Sequence, residues 1–185
     1  RDRRQSLSVG LLRDGGGGSR YFLMCAGIGL DASICRSVNP KLKRWAGQLA
    51  YFVEGLRHAV TWRPGQFIVE IAGVSYESGF TVVGNGARYG GRLWLTPGAR
   101  LDRPGFEVFI EPVRSSALAY AFDLLLCLAG QTDRTGATRI GTLKLRITAQ
   151  GQGDRRPWVQ VDGEPHGPLP VSIEALPHAV SAVVP

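Results

Sequence analysis

Cysteine and histidine are both scarce in this sequence, and their spacing argues against several kinds of site. The 185 residues include three cysteines and three histidines. No Cys-x-x-Cys pair is present, and the histidines do not stand at zinc-type spacings from Cys25, Cys35 or Cys127. An odd number of cysteines argues against a disulfide framework, so we predict a reducing, cytoplasmic location. A zinc site made of histidine and cysteine is not expected.

A long hydrophobic run is also lacking, and no signal peptide is expected from the first residues. The longest apolar run, residues 117–129, is interrupted by Asp123 and is shorter than the roughly 20 residues that a membrane-spanning helix needs. The sequence starts RDRRQSLSVG, with no methionine and no apolar run behind the basic residues. We therefore expect it to come from the middle of a longer polypeptide or from a trimmed one.

The charge of the chain points to anionic partners. Hydrophobic residues make up 44% of the sequence, enough for a real core, and the formal net charge is +7. Nucleotide phosphates, nucleic acid and an anionic membrane surface would all be attracted. The basic residues are dispersed and no aromatic–basic platform accompanies them, so nucleic acid is not expected as a partner.

Short apolar runs separated by glycine, proline and asparagine predict a mainly β (α+β) fold. We predict a β-sandwich or barrel-like domain of about ten strands with two helices, covering residues 1–185. One helix, over residues 41–60, has an apolar face, and the other, over 117–129, is apolar nearly all round and should be buried. The predicted strands cover residues 6–12, 20–26, 66–73, 78–86, 90–97, 106–113, 142–150, 156–164, 169–176 and 179–185.

Residues 159–164, VQVDGE, combine a strand with two acids. Because side chains alternate along a strand, Val159 and Val161 should face the core while Asp162 and Glu164 share the polar side. Asp-Gly is a common hairpin signal, so a plain turn is one interpretation. A pair of carboxylates held for chemistry is the other, and the stretch alone does not decide between them.

Four segments occur in an order that resembles a known family: AGIGLDASI (26–34), KLKRWAGQLAYF (41–52), VGNGARYGG with TPGARLDRPGFEV (83–108), and VQVDGE. Together they resemble the C-terminal domain of the diacylglycerol kinase catalytic family, which includes bacterial lipid kinases and the sphingosine and ceramide kinases. The resemblance implies the second domain of a two-domain lipid kinase. The N-terminal domain of that family holds ATP with a GGDGT-type motif, which this sequence does not contain.

The resemblance also implies roles for particular residues. Asp162 would be the base that orients the lipid hydroxyl, and Glu164 would support it or hold Mg²⁺. Gly163 would keep the backbone slim beside the phosphates. Arg44 matches a basic position that faces the nucleotide phosphates in the family, with a plain surface arginine as the alternative.

A structural Mg²⁺ site of the family is only partly retained. Asp102 matches its aspartate, but Arg103-Pro104-Gly105 replaces a second Asp-Gly, and an arginine there would repel a metal. Asn85 in the GNG segment is predicted to be a turn residue with positive φ.

The resulting hypothesis is an ATP- and Mg²⁺-dependent lipid kinase part that acts at a membrane surface. It would be cytoplasmic and peripherally associated with the membrane, with a homodimer possible. The missing nucleotide-binding domain would be its partner in the same polypeptide, and the 185 residues alone would be inactive. Two alternatives stay open: a non-catalytic lipid- or nucleotide-binding module, and a part of a soluble NAD kinase-like enzyme.

Overall fold

The computed structural model describes residues 3–29, 65–90, 93–150 and 157–184. Arg44 and the predicted helix over residues 41–60 lie outside the described residues.

Two six-stranded antiparallel sheets carry the fold. Sheet A has the order β2-β1-β12-β9-β4-β5 and sheet B the order β11-β10-β3-β6-β7-β8. Apolar side chains from both sheets form one shared core, so the two sheets make a sandwich. The predicted mainly β sandwich is confirmed. The strands are β1 Arg3–Asp14, β2 Ser19–Phe22, β3 Cys25–Gly29, β4 Phe67–Ile71, β5 Val74–Ser78, β6 Phe80–Gly84, β7 Phe106–Glu111, β8 Thr138–Thr142, β9 Lys144–Ala149, β10 Trp158–Val161, β11 Glu164–Pro168 and β12 Val171–Val184.

Several predicted strand boundaries were wrong, and β5, β8 and β11 were not predicted. The strand expected over 20–26 is divided into β2 and β3, which lie in different sheets. The two strands expected over 169–176 and 179–185 are the single strand β12, which accommodates Pro177 at a register shift opposite Ser8 of β1. Of the strand expected over 90–97, the described residues show only an isolated bridge between Tyr89 and Leu93.

The central strands of sheet B, β3, β6 and β7, are buried on both faces, which explains why they are nearly continuously apolar. Val83 and Val108 point into the core between the sheets, whereas their neighbours Val82 and Phe109 point to the outer face. There they join a second apolar cluster made by residues from other segments, namely Cys25, Tyr89, Leu95 and Cys127. The segment predicted as a strand over 90–97 thus contributes Leu95 to this outer cluster instead of pairing in a sheet.

A single α-helix, α1 (Ala117–Leu128), lies within the described residues and packs on the outer face of sheet B. Ser116 caps it by accepting a hydrogen bond from the Ala119 N–H at 3.3 Å. The expectation that this helix is buried all round was wrong. It buries Tyr120, Asp123 and Cys127. Its opposite side exposes four large apolar side chains, Leu118, Phe122, Leu125 and Leu128.

Among the described residues, no helix has both the length and the hydropathy to cross a membrane.

Candidate functional site

The VQVDGE stretch forms a tight hairpin at one rim of the sandwich. Asp162 and Gly163 connect β10 to β11, and both have positive φ, 49° and 83°. Two consecutive residues with positive φ are the signature of a type I′ hairpin turn, which Asp-Gly favours. The turn interpretation is therefore confirmed, while the catalytic interpretation stays a prediction. We call residues 158–168 the acidic hairpin.

The Asp162 carboxylate is held by the point at which the chain changes sheets. The Leu23 N–H donates to its Oδ2 at 2.8 Å, and the N–H groups of Met24 and Cys25 donate to its Oδ1 at 2.9 Å each. The Asp162 N–H in turn donates to the Cys25 carbonyl at 2.9 Å. These bonds fix the carboxylate between β2 and β3, and they explain why the predicted strand over 20–26 is interrupted there.

Two further side chains of the acidic hairpin reach the β1–β2 hairpin. Glu164 forms an ion pair with Arg20 of β2. His166 Nε2 lies 3.2 Å from Oδ2 of Asp14, the last residue of β1. The N–H groups of Gly18 and Gly16, and the neighbouring His166, lower the pKa of Asp14. Side chains at positions 162, 164 and 166 thus join the edge of sheet B to the edge of sheet A.

Asn85 supports this rim from inside the protein. It is fully buried, and its Nδ2 donates to the carbonyls of Ser8 and Leu23, at 2.8 Å each. It is not among the residues with positive φ, so its prediction as a left-handed turn residue was wrong. The Asn85 amide thus satisfies two buried backbone carbonyls in place of a neighbouring strand. One of them belongs to Leu23, whose N–H donates to Asp162.

The donors around Asp102 do not fit a magnesium ion. Arg100 binds the Asp102 carboxylate with two hydrogen bonds, of 2.9 and 2.8 Å, and lowers the pKa of Asp102 to about 2. Arg103 follows directly in the chain. Across residues 3–29, 65–90, 93–150 and 157–184, no three His, Cys, Asp or Glu side chains are grouped as metal ligands. A guanidinium already occupies the position where a cation would bind.

A buried charged cluster fastens α1 to β7, and the sequence did not predict it. Glu111 ends β7 and is 2% exposed, while Asp123 of α1 is 8% exposed. Arg114 Nη2 lies 2.7 Å from Glu111 Oε1, and Arg114 Nε lies 2.8 Å from Asp123 Oδ2. Burial and the nearby Asp123 raise the pKa of Glu111 to about 8, although Arg114 acts in the opposite direction. Asp123 inside an apolar helix was the available signal, because a buried carboxylate needs a partner.

This cluster predicts that stability falls as the pH rises. The folded protein binds the Glu111 proton up to about pH 8, whereas the unfolded chain releases it near pH 4.5, so the folded state holds more protons in between. We expect the free energy of unfolding to drop by about 2 kcal/mol from pH 6 to pH 8. Denaturant titrations at several pH values should show this slope in the wild type and a much weaker one in Glu111→Gln, where Asp123, Arg114 and Tyr120 remain. An equal slope in both proteins would contradict the assignment.

The geometry thus defines a class of protein: a two-sheet β-sandwich with a carboxylate-bearing hairpin at one rim and a helix with an exposed apolar side on sheet B. A family model described as the YegS C-terminal NAD kinase beta sandwich-like domain matches residues 25–184. The chain belongs to this family, and the likeness to the C-terminal domain of the diacylglycerol kinase catalytic family is confirmed. None of the curated proteins matches the chain.

Solved structures of Bacillus anthracis str. Sterne proteins have the same fold. One, described as a candidate diacylglycerol kinase, matches with a TM-score of 0.69 and 19% identity over 98% of this chain and 57% of its own. Another, described as a diacylglycerol kinase, matches with a TM-score of 0.67 and 18% identity over 98% of this chain and 56% of its own. The chain thus spans little more than half the length of these proteins.

Proposed function

We propose that this chain is the C-terminal part of an ATP-dependent lipid kinase, which transfers the γ-phosphoryl group to a lipid hydroxyl such as that of diacylglycerol. The observation that carries this proposal is the acidic hairpin, which presents a fixed carboxylate and an exposed one at the rim of a sandwich of this family. The names of the solved relatives support the substrate class.

Asp162 suits the task of orienting one hydroxyl. A carboxylate offers about four lone-pair positions for hydrogen bonds. Within the described parts of the chain, backbone N–H groups occupy three of them, which leaves one position for the acceptor hydroxyl. Because those three donors belong to successive residues of the backbone, the carboxylate cannot rotate away. A base fixed in this way contributes about 10² to 10⁴ in rate.

The lipid would contact the exposed side of α1. Leu118, Phe122 and Leu125 are 71%, 61% and 53% exposed, and they follow one another at the spacing of one helix face. Acyl chains would cover this apolar surface, and the net charge of +7 favours docking on an anionic membrane. The protein would then act in the cytoplasm as a peripheral membrane enzyme.

We expect Phe122→Ser to weaken lipid binding about tenfold, because an exposed phenyl ring loses roughly 1.5 kcal/mol or more of burial in the lipid. Cosedimentation with vesicles of phosphatidylcholine, phosphatidylglycerol and diacylglycerol measures this. Val74→Ser is the matched control, since Val74 is 51% exposed but lies on β5 of the other sheet. Equal binding by both variants would place the lipid elsewhere.

The nucleotide requires a second domain. The chain spans 57% of a matched relative, and we infer that a nucleotide-binding domain of the same polypeptide holds ATP beside the acidic hairpin. Arg44 and Gly163 would face the phosphates from this side. Magnesium would enter with ATP, since Asp102 is occupied by Arg100. The 185 residues alone would therefore not phosphorylate lipid.

The test is phosphoryl transfer by the full-length polypeptide over a panel of acceptors. The panel contains diacylglycerol, sphingosine and monoacylglycerol, and it also contains NAD, because the matching family is described as NAD kinase-like. Transfer to a lipid supports the proposal and identifies the acceptor. Transfer to NAD alone would favour the second candidate, a soluble nucleotide kinase.

A further inference from the structure

Arg20 lies beside the acidic hairpin although it belongs to the other sheet. On β2 it pairs with Leu12 of β1, so both side chains point to the same face of sheet A. Leu12 is fully buried in the core between the sheets. β2 is the edge strand, so the Arg20 side chain extends past the edge and meets Glu164 of β11. The pairing within sheet A therefore sets the direction of the Arg20 side chain.

The guanidinium of Arg20 is only partly used by this contact. An arginine has five N–H donors arranged in a fork, and the Glu164 bond involves the Nη2 group alone. Within the described parts of the chain, the side chain of Arg20 has no other hydrogen bond or ion pair, and it is 36% exposed. Among the described residues, several of its donors therefore have no protein partner, and they lie at the rim beside Glu164.

The charges at the rim require such a cation if phosphoryl transfer takes place there. Asp162 and Glu164 would repel the negatively charged oxygens of a phosphoryl group brought close to them. Two like charges about 4 Å apart repel by roughly 4 kcal/mol at the effective dielectric constant of a protein surface. Arg20 is placed to offset this repulsion, and its planar fork matches the geometry of phosphate oxygens.

We propose that Arg20 is a catalytic residue that binds the transferring phosphoryl group, while Glu164 holds its guanidinium in position. This inference rests on the proposed function. The acceptor oxygen forms a bond to the γ-phosphorus as the bond from that phosphorus to the β,γ-bridging oxygen breaks. The bonding pair leaves with ADP, and the hydroxyl proton passes to Asp162. Arg20 donates N–H bonds to the non-bridging oxygens and stabilises their charge in the transition state.

The test uses the full-length polypeptide with ATP and diacylglycerol vesicles, and it compares Arg20→Ala, Arg20→Lys and Arg13→Ala. We expect Arg20→Ala to lower kcat about 10²-fold while each KM changes less than about threefold, because the contact forms in the transition state. Arg20→Lys should regain part of the loss, since it keeps the charge without the fork. ADP with aluminium fluoride, which mimics the transferring group, should bind Arg20→Ala more weakly, and ADP alone should bind it equally well.

Arg13→Ala is the matched control. Arg13 also forms an exposed ion pair, with Glu174 at 3.0 Å. Side chains alternate along β1 and Leu12 faces the core, so Arg13 points to the outer face of sheet A. We expect it to retain wild-type kcat. Both alanine variants should melt within about 4 °C of the wild type, because exposed ion pairs contribute about 0–1 kcal/mol.

The outcomes separate the two proposals. If the wild type transfers label and Arg20→Ala stays within about threefold of it, the role of Arg20 is refuted and the lipid kinase stands. A loss that accompanies a large drop in melting temperature, without rescue by lysine, would mean a structural role and would also refute it. If the wild type transfers no label to any acceptor, both proposals fail together.

Discussion

Replacing Arg114 with alanine should destabilise the protein by about 3 kcal/mol or more. Arg114 is the cation between two buried carboxyl groups, Glu111 of β7 and Asp123 of α1. It also donates to the Thr135 carbonyl. Without it, the buried Asp123 carboxylate has no positive charge beside it, and the buried Glu111 loses its hydrogen-bond donor. Thermal unfolding should show this as a melting temperature lower by about 6 to 12 °C for a chain of this size.

The matched control for this effect is Arg13→Ala. Arg13 forms one ion pair, but both partners are about half exposed, so water screens them and the loss should be under about 1 kcal/mol. A second comparison is the double variant Arg114→Ala/Glu111→Gln. Because it also removes one of the two buried acids, it should recover part of the stability that Arg114→Ala loses. If Arg114→Ala melts like Arg13→Ala, the buried cluster does not fasten α1 to the sheet.

The position of α1 matters for function as well as for stability. Its buried side carries Tyr120, whose hydroxyl accepts a hydrogen bond from the backbone N–H of Arg114 at 3.0 Å. Its other side carries the exposed apolar residues that we propose contact the lipid. The buried charges fix which side faces outward. We therefore expect loss of Arg114 to weaken lipid binding by the same vesicle measurement that tests Phe122.

Replacing Asp162 with asparagine should lower lipid phosphorylation about 10²- to 10⁴-fold in the full-length polypeptide. The amide cannot accept a proton from the acceptor hydroxyl. The amide also has a single acceptor oxygen for the three N–H groups of Leu23, Met24 and Cys25, so at least one of these hydrogen bonds should be lost. Some loss of stability is therefore expected together with the loss of activity.

Two variants separate these two effects. Glu164→Gln leaves the three N–H bonds of Asp162 intact and keeps a side chain that can accept from Arg20, so it should fold normally and lose less activity than Asp162→Asn. Asp133→Asn is the control for a plain surface aspartate, since Asp133 pairs with Arg139 and is 87% exposed. It should leave the rate unchanged. Equal rates for Asp162→Asn and Asp133→Asn would remove Asp162 from the chemistry.

The sequence predicted those features that depend on local pattern. Alternation and glycine spacing predicted the mainly β fold, and Asp-Gly predicted the hairpin turn between β10 and β11. The division of residues 20–26 between two sheets had no local signal. It depends on the distant Asp162 carboxylate, which takes the backbone N–H groups at that point.

Long-range polar contacts were the part that could not be predicted. Nothing around Arg20 shows that its partner is 144 residues away. The exposed side of α1 could not be read from its apolar sequence either, because periodicity does not distinguish a lipid-facing side from a core-facing one. For Asn85, the GNG pattern predicted a turn, yet the buried carbonyls of Ser8 and Leu23 required its amide.

We propose that the acidic hairpin takes part in phosphoryl transfer to a lipid. The most direct measurement is the transfer of labelled phosphate from ATP into solvent-extractable lipid by the full-length polypeptide, beside its Asp162→Asn variant. We predict labelled lipid with the wild type and a loss of at least about 10² with the variant. No labelled lipid from a folded wild type, or equal labelling by both proteins, would contradict the claim.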